Sequence, residues 1–344
     1  TLDASAATAD IAVTQITASS STHGAVIGNI DVTGLNTTAS GVLTTLSATG
    51  VGTAGGQDAT IGTVGADTVG TITATSTAQD ASIGAITVGA DTAGDLTDGT
   101  VTAIKASGKI QATIGNIAAD TVSAITAEST DTVTGGASVI GTITDGNAGA
   151  LASIGTLTVT SAKAAATTGV MTLDALGTVV ISGGTTATVG VITVDNAAND
   201  SQAGTITITA GTAVTADDII VDKVGAISIK AATTLQVGNI TAAQTTATSV
   251  TLDAGTDIDA PTGGDTISNS KGDLTLTVKG AATWNVGADL DVSVGSATVT
   301  DADLVVDASA LTGAISNVDV GQVSTDAASS VIVKGGSSTN AFTI

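Results

Sequence analysis

Residues 61–74 read IGTVGADTVGTITA, and residues 114–127 repeat the pattern as IGNIAADTVSAITA. Both stretches begin with an aliphatic residue followed by glycine, any residue and a second aliphatic residue. Copies of this phrase begin at Ile27, Ile61, Val69, Ile83, Ile114, Ile140, Ile154, Leu176, Val189, Val224 and Val237. The intervals between copies vary, which is typical of a repeat built from several short strands with connections of unequal length. The pattern favours an irregular β-solenoid over a propeller or a strictly periodic helix.

Strict alternation of polar and aliphatic residues predicts strands within each repeat. In the segment TITIT over residues 205–209, Ile206 and Ile208 are expected to face inward and the threonines outward. Val, Ile and Thr favour strands, and no stretch shows the 3.6-residue period of an amphipathic helix. The sequence therefore predicts an all-β fold: an elongated, irregular and mostly parallel β-solenoid (β-helix) with little or no helix.

The pattern changes near residue 260. The only proline, Pro261, and the glycines after it interrupt the repeat, and the strands predicted further on are longer and more regular. We predict an irregular β-solenoid over residues 1–260 and a Pro/Gly linker or loop over 261–271. Residues 272–344 then form further β coils or a second β unit.

The composition limits both the core and the chemistry. The 344 residues include 43 Gly, one Pro, one Trp, one Phe and no Tyr or Cys. With so few aromatic residues, the core must be narrow and filled by short aliphatic side chains. The absence of Cys excludes thiol, disulfide and zinc-finger chemistry. A formal net charge of −23 excludes an ordinary nucleic-acid-binding surface.

Residues suited to catalysis or to a membrane are sparse. His23 is the only histidine, and no Ser or Thr has a recognisable base partner. The adjacent carboxylates Asp217 and Asp218 would point to opposite faces of a strand, so they do not form a glycosidase pair. No run approaches the ~18 apolar residues of a membrane helix. We therefore predict that the chain is not an enzyme and does not span a membrane.

Aspartates near glycine turns are the candidate metal ligands. The segment GGD at 263–265 and the segment at 335–342 look like degraded forms of a calcium-binding nonapeptide. Carboxylate and turn carbonyl oxygens are the ligands that calcium prefers. Asp257 and Asp259 share a predicted strand face, and the glycine turn can fold Asp265 towards them. The other reading is that aspartate is merely a good turn former that keeps the protein soluble.

A second group of aspartates falls on one odd-numbered register beyond residue 300. The candidate calcium ligands of the two groups are Asp257, Asp259, Asp265, Asp301, Asp303 and Asp307.

Two C-terminal stretches carry a family resemblance. Residues 301–313 read DADLVVDASALTG, and residues 331–336 read VIVKGG and run on to Asn340. With the Thr-, Ala-, Gly-, Val- and Asp-rich composition, they resemble prokaryotic surface-layer (S-layer) proteins of the calcium-dependent, type-I-secreted, RTX-like kind. The resemblance implies a parallel β-solenoid, calcium-dependent lattice assembly and an extracellular location at the cell surface.

We therefore expect a structural protein that assembles with copies of itself into an S-layer lattice or extracellular filament stabilised by calcium. Cell-surface polysaccharide is a further expected partner. A secreted adhesin or matrix-binding stalk is the main alternative. Ice binding is a third reading, raised by arrays such as Thr71/Thr73. The sequence disfavours it because the scattered repeat intervals are expected to keep the threonine ranks from aligning.

Overall fold

The structure is a computed structural model that divides into two compact units. Unit 1 comprises residues 1–177 with 181–183, and unit 2 comprises residues 178–180 with 184–344. The structure describes residues 2–3, 11–33, 41–52, 56–89, 99–144, 153–194, 202–259, 265–295, 302–322 and 330–343.

Strands make up most of the described residues. Those up to residue 183 are β1 (Leu2–Asp3), β2 (Ile11–Ser20), β3 (Ala25–Ile27), β4 (Ile30–Asp31), β5 (Gly41–Gly50), β6 (Ala59–Ile61), β7 (Val64–Ala66), β8 (Thr68–Ser76), β9 (Ala81–Ile83), β10 (Ile86–Val88), β11 (Thr100–Gly108), β12 (Ala112–Ile114), β13 (Ile117–Ala118), β14 (Thr121–Ser129), β15 (Ser138–Ile140), β16 (Ile143–Thr144), β17 (Ser153–Ser161), β18 (Ala166–Thr168), β19 (Met171–Leu173) and β20 (Ala175–Gly183).

The strands that follow belong to unit 2. They are β21 (Thr186–Val189), β22 (Ile192–Val194), β23 (Gln202–Ala210), β24 (Ala213–Ala216), β25 (Ile219–Val221), β26 (Lys223–Ala231), β27 (Thr234–Val237), β28 (Ile240–Ala242), β29 (Thr248–Ala254), β30 (Asp257–Asp259), β31 (Thr266–Asn269), β32 (Leu274–Gly280), β33 (Thr283–Val294), β34 (Leu304–Leu311), β35 (Ile315–Gln322), β36 (Val331–Lys334) and β37 (Asn340–Thr343).

Each unit is a parallel β-solenoid. In unit 1 a coil is one long strand followed by two short ones, and the long strands stack in the order β2-β5-β8-β11-β14-β17. In unit 2 the long strands stack in the order β23-β26-β29-β32-β34-β36. The rest of each coil consists of shorter strands, or of a single longer strand such as β33 or β35, which belong to the other sheet. The pairings between described strands are parallel, as between β11 and β14 or β29 and β32. With no helix among the described residues, this confirms the predicted all-β, mostly parallel β-solenoid.

Strands on both sides of the predicted linker belong to unit 2. Residues 261–264 lie outside the described residues, whereas 266–269 form β31, which pairs with β28 before the linker and with β33 after it.

The core is a set of aliphatic ladders, each made of residues at equivalent positions in successive coils. Ile206 and Ile208 are fully buried, as the alternation predicted. The central ladder of the long strands consists of side chains that are at most 1 % exposed: Leu46, Ile72, Ile104, Ile125 and Leu157 in unit 1, and Ile206, Ile227, Val250, Leu276 and Val306 in unit 2. These ladders are filled by short aliphatic side chains. The single Trp of the chain, Trp284 on β33, is also fully buried in unit 2.

Coil length varies without disturbing these ladders. Ile104 pairs in register with Ile125, 21 residues later, but with Ile72, 32 residues earlier. The difference falls in the connections between strands, so equivalent side chains still stack. The scattered repeat intervals therefore do not misalign the ranks, contrary to the expectation from sequence.

The aliphatic-glycine phrase identified in the sequence occurs at two positions of the coil. One position is the bend that joins the two short strands, where Gly115 N donates to Ile83 O at 2.9 Å. A Cβ on Gly115 would lie 2.8 Å from the carbonyl carbon of Gly84, so this close approach between coils requires glycine. The other position lies within the long strand β8, where a Cβ on Gly70 would clash with Thr44 O.

Candidate functional site

Two of the three aspartates of the first predicted calcium cluster lie on one strand. Asp257 and Asp259 lie on one face of β30, on either side of the buried Ile258, as predicted. Partial burial, and then repulsion from Asp259, raises the pKa of Asp257 above its usual range. The two carboxylates therefore repel each other when both are ionised.

Asp265, the third member of this cluster, is buried directly before β31. Within the described residues, no three His, Cys, Asp or Glu side chains are placed together to hold a metal ion. Calcium ligation by Asp257, Asp259 and Asp265 stays a prediction.

The second predicted cluster is tied into hydrogen bonds between coils. Asp301 lies outside the described residues. Asp303 Oδ1 accepts hydrogen bonds from Ser330 N and from Ser330 Oγ, both at 2.8 Å. Its own backbone N–H donates to Asp273 Oδ1 at 2.9 Å. This carboxylate therefore already links one coil to the next, and calcium binding there stays a prediction.

Asp307 has its own set of partners. Its Oδ1 accepts from Ser309 N at 3.0 Å and from Ser309 Oγ at 2.5 Å, and its Oδ2 accepts from Lys334 Nζ at 2.9 Å. The Ser309 hydroxyl first, and then Lys334, lowers the pKa of Asp307 to about 2. This arrangement stabilises the ionised carboxylate without a metal.

Asparagine in the Ile-Gly-Asn-Ile phrases has a role that the sequence analysis missed. Asn29 Oδ1 accepts from Thr63 N, and Asn116 Oδ1 accepts from Thr142 N, each at 3.1 Å. Each asparagine thus satisfies a backbone N–H at the bend of the next coil. The recurrence of Asn after Gly in the phrase was the available signal.

A pair of aspartates in unit 1 was also missed. Asp3 on β1 is the register partner of Asp31 on β4, and Asp31 is in turn the partner of Gly65 on β7. All three residues line a surface hollow of about 480 Å³. Asp31 Oδ1 accepts from Thr33 Oγ1 at 2.7 Å. Both strands are two residues long, so alternation could not reveal them.

The first long strand leaves a stacking surface open. β2 pairs with β5 on one side, and no described strand pairs with its other side. The inward-facing Ile11, Val13 and Ile16 of β2 are half-buried, whereas the equivalent Leu43 and Leu46 of β5 are fully buried. Among the described residues, the inward side chains of the first long strand are therefore less buried than those of the next coil.

The last long strand of unit 2 has the same property. β36 pairs with β34, and no described strand covers its other edge. Val331 and Val333 are half-buried, whereas their partners Leu304 and Val306 are fully buried.

The outward face of the long strands in unit 1 carries aligned hydroxyls. Neighbouring β5 and β8 hold the register pairs Thr45–Thr71, Ser47–Thr73 and Thr49–Thr75. The array continues into β2 through Thr17 and Ser19. It is interrupted in the other direction, where Lys105 on β11 follows Thr73.

Taken together, these features define a class of architecture, the parallel β-solenoid, rather than a family. Comparison with protein-family models, with curated protein sequences and with solved structures found no match to this chain. In the part of the chain that the structure describes, no helix is long and apolar enough to cross a membrane.

Proposed function

We propose that this chain is a structural protein of the extracellular cell surface that assembles with copies of itself into a lattice or filament. The observation that supports the proposal is the open stacking surface of β2, whose aliphatic side chains are half-buried where the next coil's are fully buried.

Two forces favour covering this surface with another coil. An edge strand has unpaired backbone N–H and C=O groups, which pair readily with a strand of another chain. β2 is ten residues long and has no lysine, aspartate or proline to oppose such pairing. Completing the burial of a residue such as Ile16 adds a share of the ~1.5–3 kcal/mol that full burial of an aliphatic side chain provides.

Calcium is the proposed cofactor of assembly. A formal charge of −23 makes contact between copies repulsive. Physiological salt screens only beyond ~8 Å, so close contacts need a bound counter-ion. The Asp257–Asp259 pair is the best-placed described candidate to take part, since its charges already repel. Cell-surface polysaccharide is the further proposed partner, and no catalytic step is proposed.

The test compares the chain with two single variants of β2 by sedimentation and electron microscopy, with and without calcium. Ile16→Lys places a charge on the inward, half-buried side of the open strand, whereas Thr17→Lys places the same charge on its exposed side. We expect the unaltered chain and Thr17→Lys to assemble and Ile16→Lys to remain largely unassembled. Circular dichroism checks that both variants fold.

Three outcomes would each contradict one part of the proposal. Persistent monomers of the unaltered chain at high concentration with calcium would favour the adhesin or stalk alternative. Assembly that a chelator leaves intact, with unchanged Tm, would remove calcium from the proposal. An Asp257→Asn variant that responds to calcium as the unaltered chain does would exclude that residue as a ligand.

The aligned hydroxyls favour a second candidate function, ice binding. Hydroxyl-bearing side chains on β5 and β8 form an aligned array, with expected repeats of about 4.8 Å between strands and about 6.6 Å along them. Thermal hysteresis and ice recrystallisation assays test this candidate. We expect Thr73→Leu to abolish any such activity and Thr113→Leu, on the short strand β12, to preserve it. No activity in the unaltered chain excludes ice binding.

A further inference from the structure

The strand-borne lysines of unit 2 all lie on its long strands. Lys230, Lys279 and Lys334 lie on β26, β32 and β36, and Lys223 begins β26. The charged residues on the described shorter strands of this unit are all aspartates, as in β30. Among the described strands of unit 2, the lysines therefore lie on the long strands.

Lysine and aspartate alternate from coil to coil on this face. Lys230 is the register partner of Asp253, and Asp253 is the partner of Lys279. Asp307 and Lys334 pair in the neighbouring column, because Asp307 is the partner of Thr277, two residues before Lys279. The order along the stack β26-β29-β32-β34-β36 is thus positive, negative, positive, negative, positive. We name this outward surface, with its five charged residues, the lysine–aspartate face.

The lysines of this face remain available to a partner although they have neighbours within the chain. Lys230 Nζ lies 3.1 Å and Lys279 Nζ 3.9 Å from Asp253 Oδ2. The side chains of Lys230, Lys279 and Lys334 are nevertheless 60 %, 45 % and 54 % exposed. Exposed ion pairs of this kind contribute little individually, so exchanging one aspartate neighbour for another costs little.

We propose that the lysine–aspartate face is the lateral contact between two copies of this chain, related by a two-fold axis. The inference rests on the proposed self-assembly and names the surface that carries it. A two-fold axis that runs parallel to the strands, midway between β29 and β32, reverses the stacking order of the charges in the second copy. Asp253 then faces Lys279 of the second copy, and Lys230 lies one column away from its Asp307. Lys334 lies opposite the uncharged strand β23, so the contact brings no like charges together.

The sign pattern selects a second copy over other partners. A polyanion would be attracted by the lysines but repelled by Asp253 and Asp307, which alternate with them. Contacts through the aspartate-bearing shorter strands would place like charges together. A face with alternating charges is complementary to its own reverse when the two copies are offset by one strand, which the axis between β29 and β32 provides.

The test measures lateral association by sedimentation equilibrium of the full chain in calcium at low and high salt. In Lys230→Glu/Lys279→Glu, both lysines become acidic, so the two-fold contact joins like charges. We expect the dissociation constant of the lateral contact to rise by about tenfold or more, and the contact of the unaltered chain to weaken at high salt. Lys163→Glu/Lys109→Glu makes the same charge change at exposed turns of unit 1 and should leave the lateral contact nearly unchanged.

A charge-swapped variant separates the contact from a simple effect of net charge. Asp253→Lys/Lys279→Asp exchanges the two central charges and leaves the total unchanged, so the copies of this variant should still associate with one another. Failure of the swapped variant alone would overturn the two-fold pairing, as would unchanged association in Lys230→Glu/Lys279→Glu. If that double-reversal variant still forms end-to-end assemblies through β2, the proposed function stands without this face. If the unaltered chain never associates, both proposals fail.

Discussion

The glycines at the bend between short strands are held there by the distance between coils. A Cβ on Gly115 would meet three backbone atoms of the preceding coil at 2.8–2.9 Å, and backbone cannot move aside as a flexible side chain can. We expect Gly115→Ala to destabilise the folded state by about 1–3 kcal/mol, the usual cost of overpacking. The urea midpoint measured by circular dichroism tests this.

Gly65→Ala is the matched control. Its Cβ would have its nearest contact at 3.4 Å, an ordinary van der Waals distance to Asp31 Oδ1. Equal urea midpoints for the alanine variants at 115 and 65 would show that contact between coils does not require glycine.

Two carboxylates should respond to acid in opposite directions. The pKa of Asp307 is lowered to about 2 by Ser309 and Lys334, below the unfolded value near 3.9. Its contribution is therefore complete above pH ~4 and is lost as the pH falls towards 2. The pKa of Asp257 is raised, so its protonation in acid favours the folded state.

Carboxyl NMR titration checks both directions. We expect Asp307→Asn to cost up to about 1 kcal/mol at pH 7, since the ion pair is exposed, and progressively less as the pH falls through 2. Asp257→Asn should be neutral or slightly stabilising at pH 7 because it removes repulsion from Asp259. Asp319→Asn controls for the lost charge. A titration of Asp307 at the usual value for aspartate would contradict the first expectation.

At the scale of the element, one turn of unit 2 is held by a buried side-chain amide. Asn269, at the end of β31, is fully buried. Its Oδ1 accepts from Gln244 N at 3.1 Å and from Lys271 N at 3.3 Å. Its Nδ2 donates to Asp273 O at 2.9 Å and to Thr246 O at 3.3 Å. One side chain thus satisfies backbone groups of two successive turns.

Removal of this amide should be costly. We expect Asn269→Ala to destabilise the protein by about 2–4 kcal/mol, because it leaves buried backbone groups unpaired as well as a cavity. Asn116→Ala, which removes one hydrogen bond at an exposed bend, should cost about 0.5–1.5 kcal/mol. Chemical denaturation of both variants tests the order; a smaller effect at Asn269 would show that water replaces its bonds.

At the scale of the whole molecule, charge should govern solubility. The formal charge of −23 falls towards zero near the sequence pI of 4.1 as aspartates become protonated. We expect light scattering to rise steeply between pH 5 and about 4, because loss of repulsion allows the open strands to associate. Calcium should produce association at neutral pH, whereas the same ionic strength of sodium should not. A protein that stays monomeric through pH 4 would contradict this.

The sequence predicted the architecture because a solenoid depends on local alternation that every coil repeats. Residues such as Ile206 and Ile208 could be assigned inward from their neighbours alone. The alignment of threonines on β5 and β8 could not be predicted from the sequence, because the register is set by contacts between coils, and the spacing of these coils along the chain varies. The same limit applies to the open edge of β2 and to the alternation of Lys230 with Asp253, which are properties of stacking.

The unequal coils have a consequence for how such a gene can change. Because Ile104 and Ile125 are equivalent positions, loss of residues 105–125 would join Ile104 to Thr126, the residue that follows the same position in the next coil. Recombination can therefore remove or duplicate a whole coil and leave every other ladder intact, whereas a one-residue insertion within a strand reverses its faces. Molecular length can evolve in steps of one coil.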